Sequence, residues 1–339
     1  LVPAYLKTLY NNDPFLKPIK TVFTIHNMAY QGDFAPDAFM KSGLPKSLFH
    51  VDGVEAYGKF NFLKTALQFA DAITTVSRRY AEEISTSDDY GSGLTGLLAK
   101  RKKDLHGILN GIDYHVWNPA TDDLIYRKYD AKSLDAKADN KRSLVGRFKL
   151  PYIDGAPVIG AISRLVEQKG FDLVLEIMDE LLKMDVQFVL LGDGDKGTEK
   201  QFDALQKKYP KQIGVFFGFD KELAHLIEAG SDIFIMPSRY EPCGLNQMYS
   251  MRYGTIPVVR ATGGLDDTVE DYSGNGKGTG FKFEKFDAKE LLKAIQRALK
   301  VFHQPEEWKK LMRNGMTKDF SWEHSAKQYV NLYKELLKQ

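Results

Sequence analysis

The chain has one cysteine in 339 residues. It can therefore form no internal disulfide and no Cys-rich metal site. No apolar run approaches the roughly 20 residues a membrane-spanning helix needs, and no signal-peptide pattern is visible. An excess of either charge is also missing. With 47 Lys+Arg against 45 Asp+Glu the net charge is +2, which gives no reason to expect a nucleic-acid or membrane partner. There is no internal repeat and no low-complexity segment. An opening methionine is lacking too: the chain starts LVPAYLKTLY, as if in mid-helix, and is expected to be a piece of something longer. What is present is ordinary globular composition, 43% hydrophobic and 27% charged. The length suits two α/β domains better than one core.

Short apolar strands alternate with helical patterns, which predicts parallel sheets with crossover helices. KTVFTIHN (20–27) reads as a buried strand entering a loop. Residues 53–77 read as a long helix followed by a strand over Ala72–Val76, and 77–86 as a helix capped by Ser77. The segment 105–122 reads as strand, Asn-Gly turn and an irregular Trp-Pro stretch, and 123–153 as charged helix. Strands are then expected at 156–163, 187–194, 212–219, 232–238 and 255–261, with GTGFKFEKF as an edge strand. Helices are expected over Gly170–Met184 and Gly197–Lys208. The second unit is a complete doubly wound domain. The first shows about three strands, too few for a covered parallel sheet, and is expected to be cut.

In open parallel sheets, ligands sit beyond the carboxyl ends of the strands. Arg164 and Lys169 follow the first strand of the second unit in SRLVEQKG, and two fixed cations there suit a diphosphate, though a solvated charged turn reads the same way. Gly192 in LLGDGDKGT permits close backbone approach. After the fourth strand, Glu241-Pro242-Cys243-Gly244 leads into the amphipathic GLNQMYSMRYG, so a helix start faces Glu241. Thr262-Gly263-Gly264 opens another helix after the fifth strand. Together these features describe a site for a phosphorylated ligand. Glu241 is a poor phosphate ligand and better suited to hydroxyls or a developing positive charge at a sugar carbon. Cys243 is counted among the substrate-binding residues, with a small buried filler as the alternative, and is not read as a nucleophile.

The chain resembles the bacterial glycogen synthase and plant starch synthase family. The resemblance rests on TVFTIHNMAYQGDF, FLKTALQFADAITTVSRRYAEEI, GILNGIDYHVWNPATD, SRLVEQKGFDLV, SRYEPCGLNQMYSMRYGTIPVVRATGGLDDTV and DFSWEHSAKQYVNLYKELL, in family order over nearly the whole chain. SRLVEQKG and IHNMAYQG look more bacterial than plant. The resemblance implies the GT-B fold, two Rossmann-like doubly wound domains with the N-terminal one incomplete. It implies domains at 1–106 and 107–319, with 320–339 a helix crossing back to the first. The implied activity is transfer of glucose from ADP-glucose to the 4-OH at the non-reducing end of an α-1,4-glucan, with retention, no metal and no other cofactor.

The resemblance also assigns roles. Arg164 and Lys169 stabilise the departing ADP, and Glu241 contacts the glucosyl group. Gly244, Leu245 and Asn246, with the Thr262-Gly263-Gly264 helix start, bind the distal phosphate and sugar. Phe219 stacks on adenine, where otherwise it would be ordinary core, and His26, Asn27 and Asn110 line the interdomain cleft. The implied location is the bacterial cytoplasm, or the plastid if the source is a plant.

Where many GT-B enzymes carry a second Glu eight residues on, this chain has Tyr249. The family's Lys-x-Gly-Gly-Leu loop and His-Asp-Trp-His segment are absent from the sequence. On that ground the chain is expected to bind nucleotide weakly and to be inactive alone. In the last helix, Tyr329, Leu332, Tyr333 and Leu336 fall at helical spacing. The alternatives are a non-catalytic glucan-binding relative, free to lose Arg164, Lys169 and Glu241; a GT-B enzyme with another nucleotide sugar; and an epimerase, which needs a second acid near the sugar.

Overall fold

The computed structural model describes residues 1–274 and 276–338. The chain divides into two compact units, one of Leu1–Asn110 with the residues from Ser325 on, the other Gly111–His324.

The first unit holds β1 (Val22–Ile25), β2 (Asp33–Phe34), β3 (Glu55–Ala56), β4 (Lys59–Asn61), β5 (Ala72–Thr75) and β6 (Leu105–Gly107). β1, β5 and β6 form a parallel sheet in that order. The buried β5 lies at its centre, so all four of its side chains are apolar or small. The sequence reading placed one helix from residue 53 onward; the helix is only Phe62–Phe69. Ahead of it β4 pairs antiparallel with both β2 and β3. Asn61 sets the true start, its side chain accepting from the Lys64 amide at 2.6 Å. The expected Ser77 cap is present, accepting from the Tyr80 amide at 3.1 Å. Of the C-terminal stripe, Leu332 and Leu336 are buried against Ala72 and Ile108, with Tyr329 partly covered, while Tyr333 stays exposed.

The second unit carries β7 (Val158–Leu165), β8 (Gln187–Gly194), β9 (Ile213–Phe217), β10 (Ile233–Met236), β11 (Ile256–Arg260) and β12 (Phe281–Phe283). All pair parallel, in the order β12-β11-β10-β7-β8-β9. The winding reverses between β7 and β10, which opens a crevice beyond their carboxyl ends. Segment 123–153 is not helical throughout: the helix is Lys137–Arg147, after a 3-10 turn at Leu134–Ala136. Ahead of these, the Asp130 carboxylate accepts from the amides of Lys132 and Ser133 at 2.9 and 3.0 Å, a side-chain turn that competes with helix.

A polar cluster is buried inside this unit. Lys137 Nζ donates to the carbonyls of Ala229 (2.7 Å), Glu228 and Tyr253 (both 3.2 Å) and to Thr255 Oγ1 (2.7 Å). Glu228 Oε2 accepts from Ser250 at 2.7 Å, while Oε1 meets no partner among the described residues. Burial lowers the Lys137 ammonium to about 7 and raises the Glu228 carboxyl to about 8. A carboxyl raised from 4.5 binds more protons folded than unfolded, so stability falls as pH rises from about 4.5 to 8. A lowered Lys acts oppositely, adding stability only as pH rises above about 7. The lowered carboxyls of Asp71 and Asp122 act at about pH 4 and below. Between about pH 5 and 7 the raised Glu228 carboxyl is therefore the main cause of falling stability, and the lowered Leu1 ammonium acts in the opposite direction. Melting curves across that range should show wild type losing stability and Glu228→Gln staying flat or rising. Parallel slopes would remove Glu228 as the cause.

Candidate active site

β7 carries the exposed Arg164 one residue before its end and leads into a 3-10 turn, Glu167–Lys169. Gly170 closes the turn with φ 71°, and a Cβ there would fall 2.1 Å from the Pro237 carbonyl. Only glycine allows the turn after β7 to lie this close to the turn after β10. Two backbone anchors hold the approach: the Arg239 amide donates to Gln168 O at 2.8 Å and Gln168 Nε2 to Tyr240 O at 3.1 Å. The result is a contact between residues 72 positions apart, Lys169 Nζ on Glu241 Oε2 at 2.5 Å. Ser238 Oγ donates to the same oxygen at 3.0 Å. Glu241 is 6% exposed. A buried carboxylate with both a cation and a hydroxyl on one oxygen is held in one orientation.

The loop carrying Glu241 is fixed from behind. The Gly264 amide donates to Glu241 O at 3.0 Å. A Cβ on Gly263 would sit 2.0 Å from that carbonyl, and one on Gly264 2.0 Å from Cys243 O. Thr262, Gly263, Gly264 and Cys243 are buried and support the Glu241 loop from outside the cleft lining. Asn246 opens the helix Asn246–Arg252 and ties it to β7 through Nδ2 on Ile162 O at 3.1 Å. Tyr249, on the same helix, stacks on Trp117 at 4.0 Å, and His225 stacks on Trp117 at 3.9 Å.

A cleft of about 590 Å³ lies over these ends. Arg164, Lys169, Gly192, Phe219, Glu241, Gly244, Leu245 and Asn246 all line it. Phe219 is not core: it is 93% exposed. An aromatic ring left in solvent at a cleft rim is available for stacking. Sequence reading missed Ser238, Asp193 and Asp220, which also line the cleft. Ser238 and Asp220 follow β10 and β9, and Asp193 lies next to the end of β8, the one signal available for each. His26, Asn27 and Asn110 belong to the other unit, after β1 and β6. Asn27 Oδ1 accepts from the Ala29 amide at 3.0 Å, as a turn residue does. Among the described residues, no group of three or more His, Cys, Asp or Glu could hold a metal ion, and no helix is long and apolar enough to cross a membrane.

The arrangement pairs an anion with cations at the switch point of a parallel sheet, a place for a phosphorylated sugar donor. Known proteins agree with it. Residues 1–100 match the starch synthase catalytic domain, and residues 146–315 match the glycosyl transferases group 1 family. The glycogen synthase of Thermotoga maritima is 52% identical over 339 residues, which covers 99% of this chain and 70% of that protein. That of Fervidobacterium nodosum is 52% identical over 334 residues, covering 98% and 68%. The catalytic domain of starch synthase IV from Arabidopsis thaliana, solved with ADP and acarbose, superposes with a TM-score of 0.91 at 35% identity, over 100% of this chain and 71% of that one. Sucrose-phosphate synthase from Thermosynechococcus elongatus, 19% identical with a TM-score of 0.58, shares the fold alone. This chain belongs to the glycogen and starch synthase family, glucan-elongating glucosyltransferases of the GT-B fold.

Proposed function

We propose that the chain transfers glucose from ADP-glucose to the 4-OH at the non-reducing end of an α-1,4-glucan, with retention of configuration. The observation that carries this is the Lys169–Glu241 pair facing a cleft rimmed by the exposed Phe219 and Arg164. The Arabidopsis relative was solved with ADP and acarbose; carried to this chain, ADP takes the cleft with its base on Phe219. As the glycosidic bond breaks, negative charge collects on the leaving diphosphate and positive charge on the sugar carbon. Arg164 and Lys169 oppose the first and Glu241 the second. In this reading the two cations meet the diphosphate charge and no metal is called on. Its likeness to bacterial glycogen synthases supports the cytoplasm as its place of work.

Labelled ADP-glucose and UDP-glucose supplied with maltohexaose test the donor and the linkage. ADP-glucose should be preferred, and every new bond should be α-1,4. Phe219→Ala should raise the dissociation constant of ADP by about tenfold, one lost stacking contact. Equal use of UDP-glucose, or an unchanged ADP affinity, would sink the base-stacking assignment.

A further inference from the structure

β3 and β4 are joined by two residues, Tyr57 and Gly58, both with left-handed backbone at φ 52° and 78°. Two-residue hairpins of this kind ordinarily use Asn, Asp or Gly at the first place. A bulky aromatic there is strained. The strain is not offset by burial of the ring, since Tyr57 is 80% exposed. The ring is nonetheless held in place. Its hydroxyl donates to Gly93 O at 3.2 Å, and a Cβ on Gly93, which is itself left-handed, would fall 2.5 Å from that hydroxyl.

Among the described residues, four non-glycine residues have left-handed backbone, and two of them, Tyr57 and Ser92, line one cleft of about 270 Å³. Its other walls mix the apolar Met28, Ala29 and Ala56 with polar side chains. Asn61 Nδ2 donates to Gln31 Oε1 and to Asp33 Oδ1, both at 2.7 Å, so the two lining side chains are locked together. Gln31 Nε2 donates to Ser92 O at 2.8 Å, and Lys59 stands on the rim. Asp33 disfavours an anion here, and the amide and carboxylate disfavour a purely apolar ligand. An exposed ring beside fixed donors and acceptors suits a sugar, with C–H face on the ring and hydroxyls on the amides.

We propose that Tyr57, with Gln31, Asp33, Lys59 and Ser92, forms a subsite for one glucosyl unit of an α-glucan chain. It lies in the unit that does not carry the nucleotide cleft. The proposal rests on the reading above only in taking the sugar to be the polymer that is elongated.

Maltoheptaose is the probe, with cellohexaose as control. Maltoheptaose should slow amide exchange at 55–61 and 90–94 of the wild type, and cellohexaose should not. Tyr57→Asn places a side chain that suits the turn, so its thermal midpoint should hold or rise. Its maltoheptaose affinity should fall about tenfold, whereas Tyr57→Phe, which keeps the platform, should stay within about threefold. Equal binding by wild type and the Asn variant overturns the subsite, as does equal loss in the Asn and Phe variants. Unchanged exchange at 55–61 in the wild type overturns it without recourse to any variant. A protein that binds ADP but not maltoheptaose loses the subsite and keeps the donor assignment. One that binds maltoheptaose through Tyr57 but no ADP keeps the subsite and loses the donor assignment.

Discussion

Replacing Glu241 by Gln in the native enzyme should lower glucosyl transfer by about 10³-fold and leave ADP affinity within about threefold. The separation follows from where the carboxylate sits. Oε2 is held by Lys169 at 2.5 Å and Ser238 at 3.0 Å, and the group is nearly out of water. Gln keeps the shape and can still accept from Ser238, so the loop behind it, fastened by the Gly264 amide, has no reason to move. What disappears is the negative charge. A bound diphosphate is itself anionic, and losing a nearby anion does not weaken its hold. The positive charge that grows on the sugar carbon loses its only fixed partner among the cleft residues assigned to it. The loss should fall on kcat, with little change in KM. Transfer within tenfold of wild type would remove Glu241 from the chemistry, and a parallel loss of ADP affinity would recast it as a binding residue. The variant should also melt somewhat lower, since Lys169 is left without its counter-charge, a cost moderated by the partial exposure of that side chain.

Much of this site was legible because strand-end chemistry survives in a linear reading. β7, β8 and β10 begin as runs of apolar residues, and residues at or just beyond their carboxyl ends mark the cleft. Arg164, Lys169, Gly192 and Glu241 were found that way. Distances across the switch point were not legible. Nothing in SRLVEQKG says that Gly170 must lie against Pro237, or that Lys169 therefore lands on Glu241. At the Thr262-Gly263-Gly264 start the packing role was not legible: glycines at a helix start serve phosphates and tight packing alike, and here a Cβ at either glycine would strike the Glu241 loop. The helix drawn from residue 53 failed for a local reason. Apolar spacing continues through the Tyr57-Gly58 turn, and only the left-handed backbone and the Asn61 cap reveal that the helix starts later. Segment 123–133 failed similarly, where the Asp130 side chain takes the amides a helix would have used.

Lys169→Ala should cost more than Arg164→Ala, although the proposed function gives both cations the same diphosphate. Each substitution should lower kcat/KM for the donor, by about 10²-fold for Arg164 and about 10³-fold for Lys169. Arg164 is exposed near the end of β7, so its alanine variant loses one screened cation and disturbs little else. Lys169 has a second task. It is the cation on the buried Glu241, and its removal leaves that carboxylate unpaired as well as the diphosphate. The two losses also differ in their response to salt. Attraction between exposed charges fades within about 10 Å at moderate ionic strength, so the Arg164 deficit should shrink as salt is raised. The Lys169–Glu241 contact is short and largely out of solvent, so the Lys169 deficit should not. Lys169→Arg should recover little, because a planar guanidinium does not replace an ammonium held at 2.5 Å between a carboxylate and an incoming phosphate. Donor kcat/KM measured for the three variants at low and high salt decides the matter. Equal deficits with equal salt dependence would mean that Lys169 is only a second diphosphate cation, and that Glu241 is held in place by Ser238 alone.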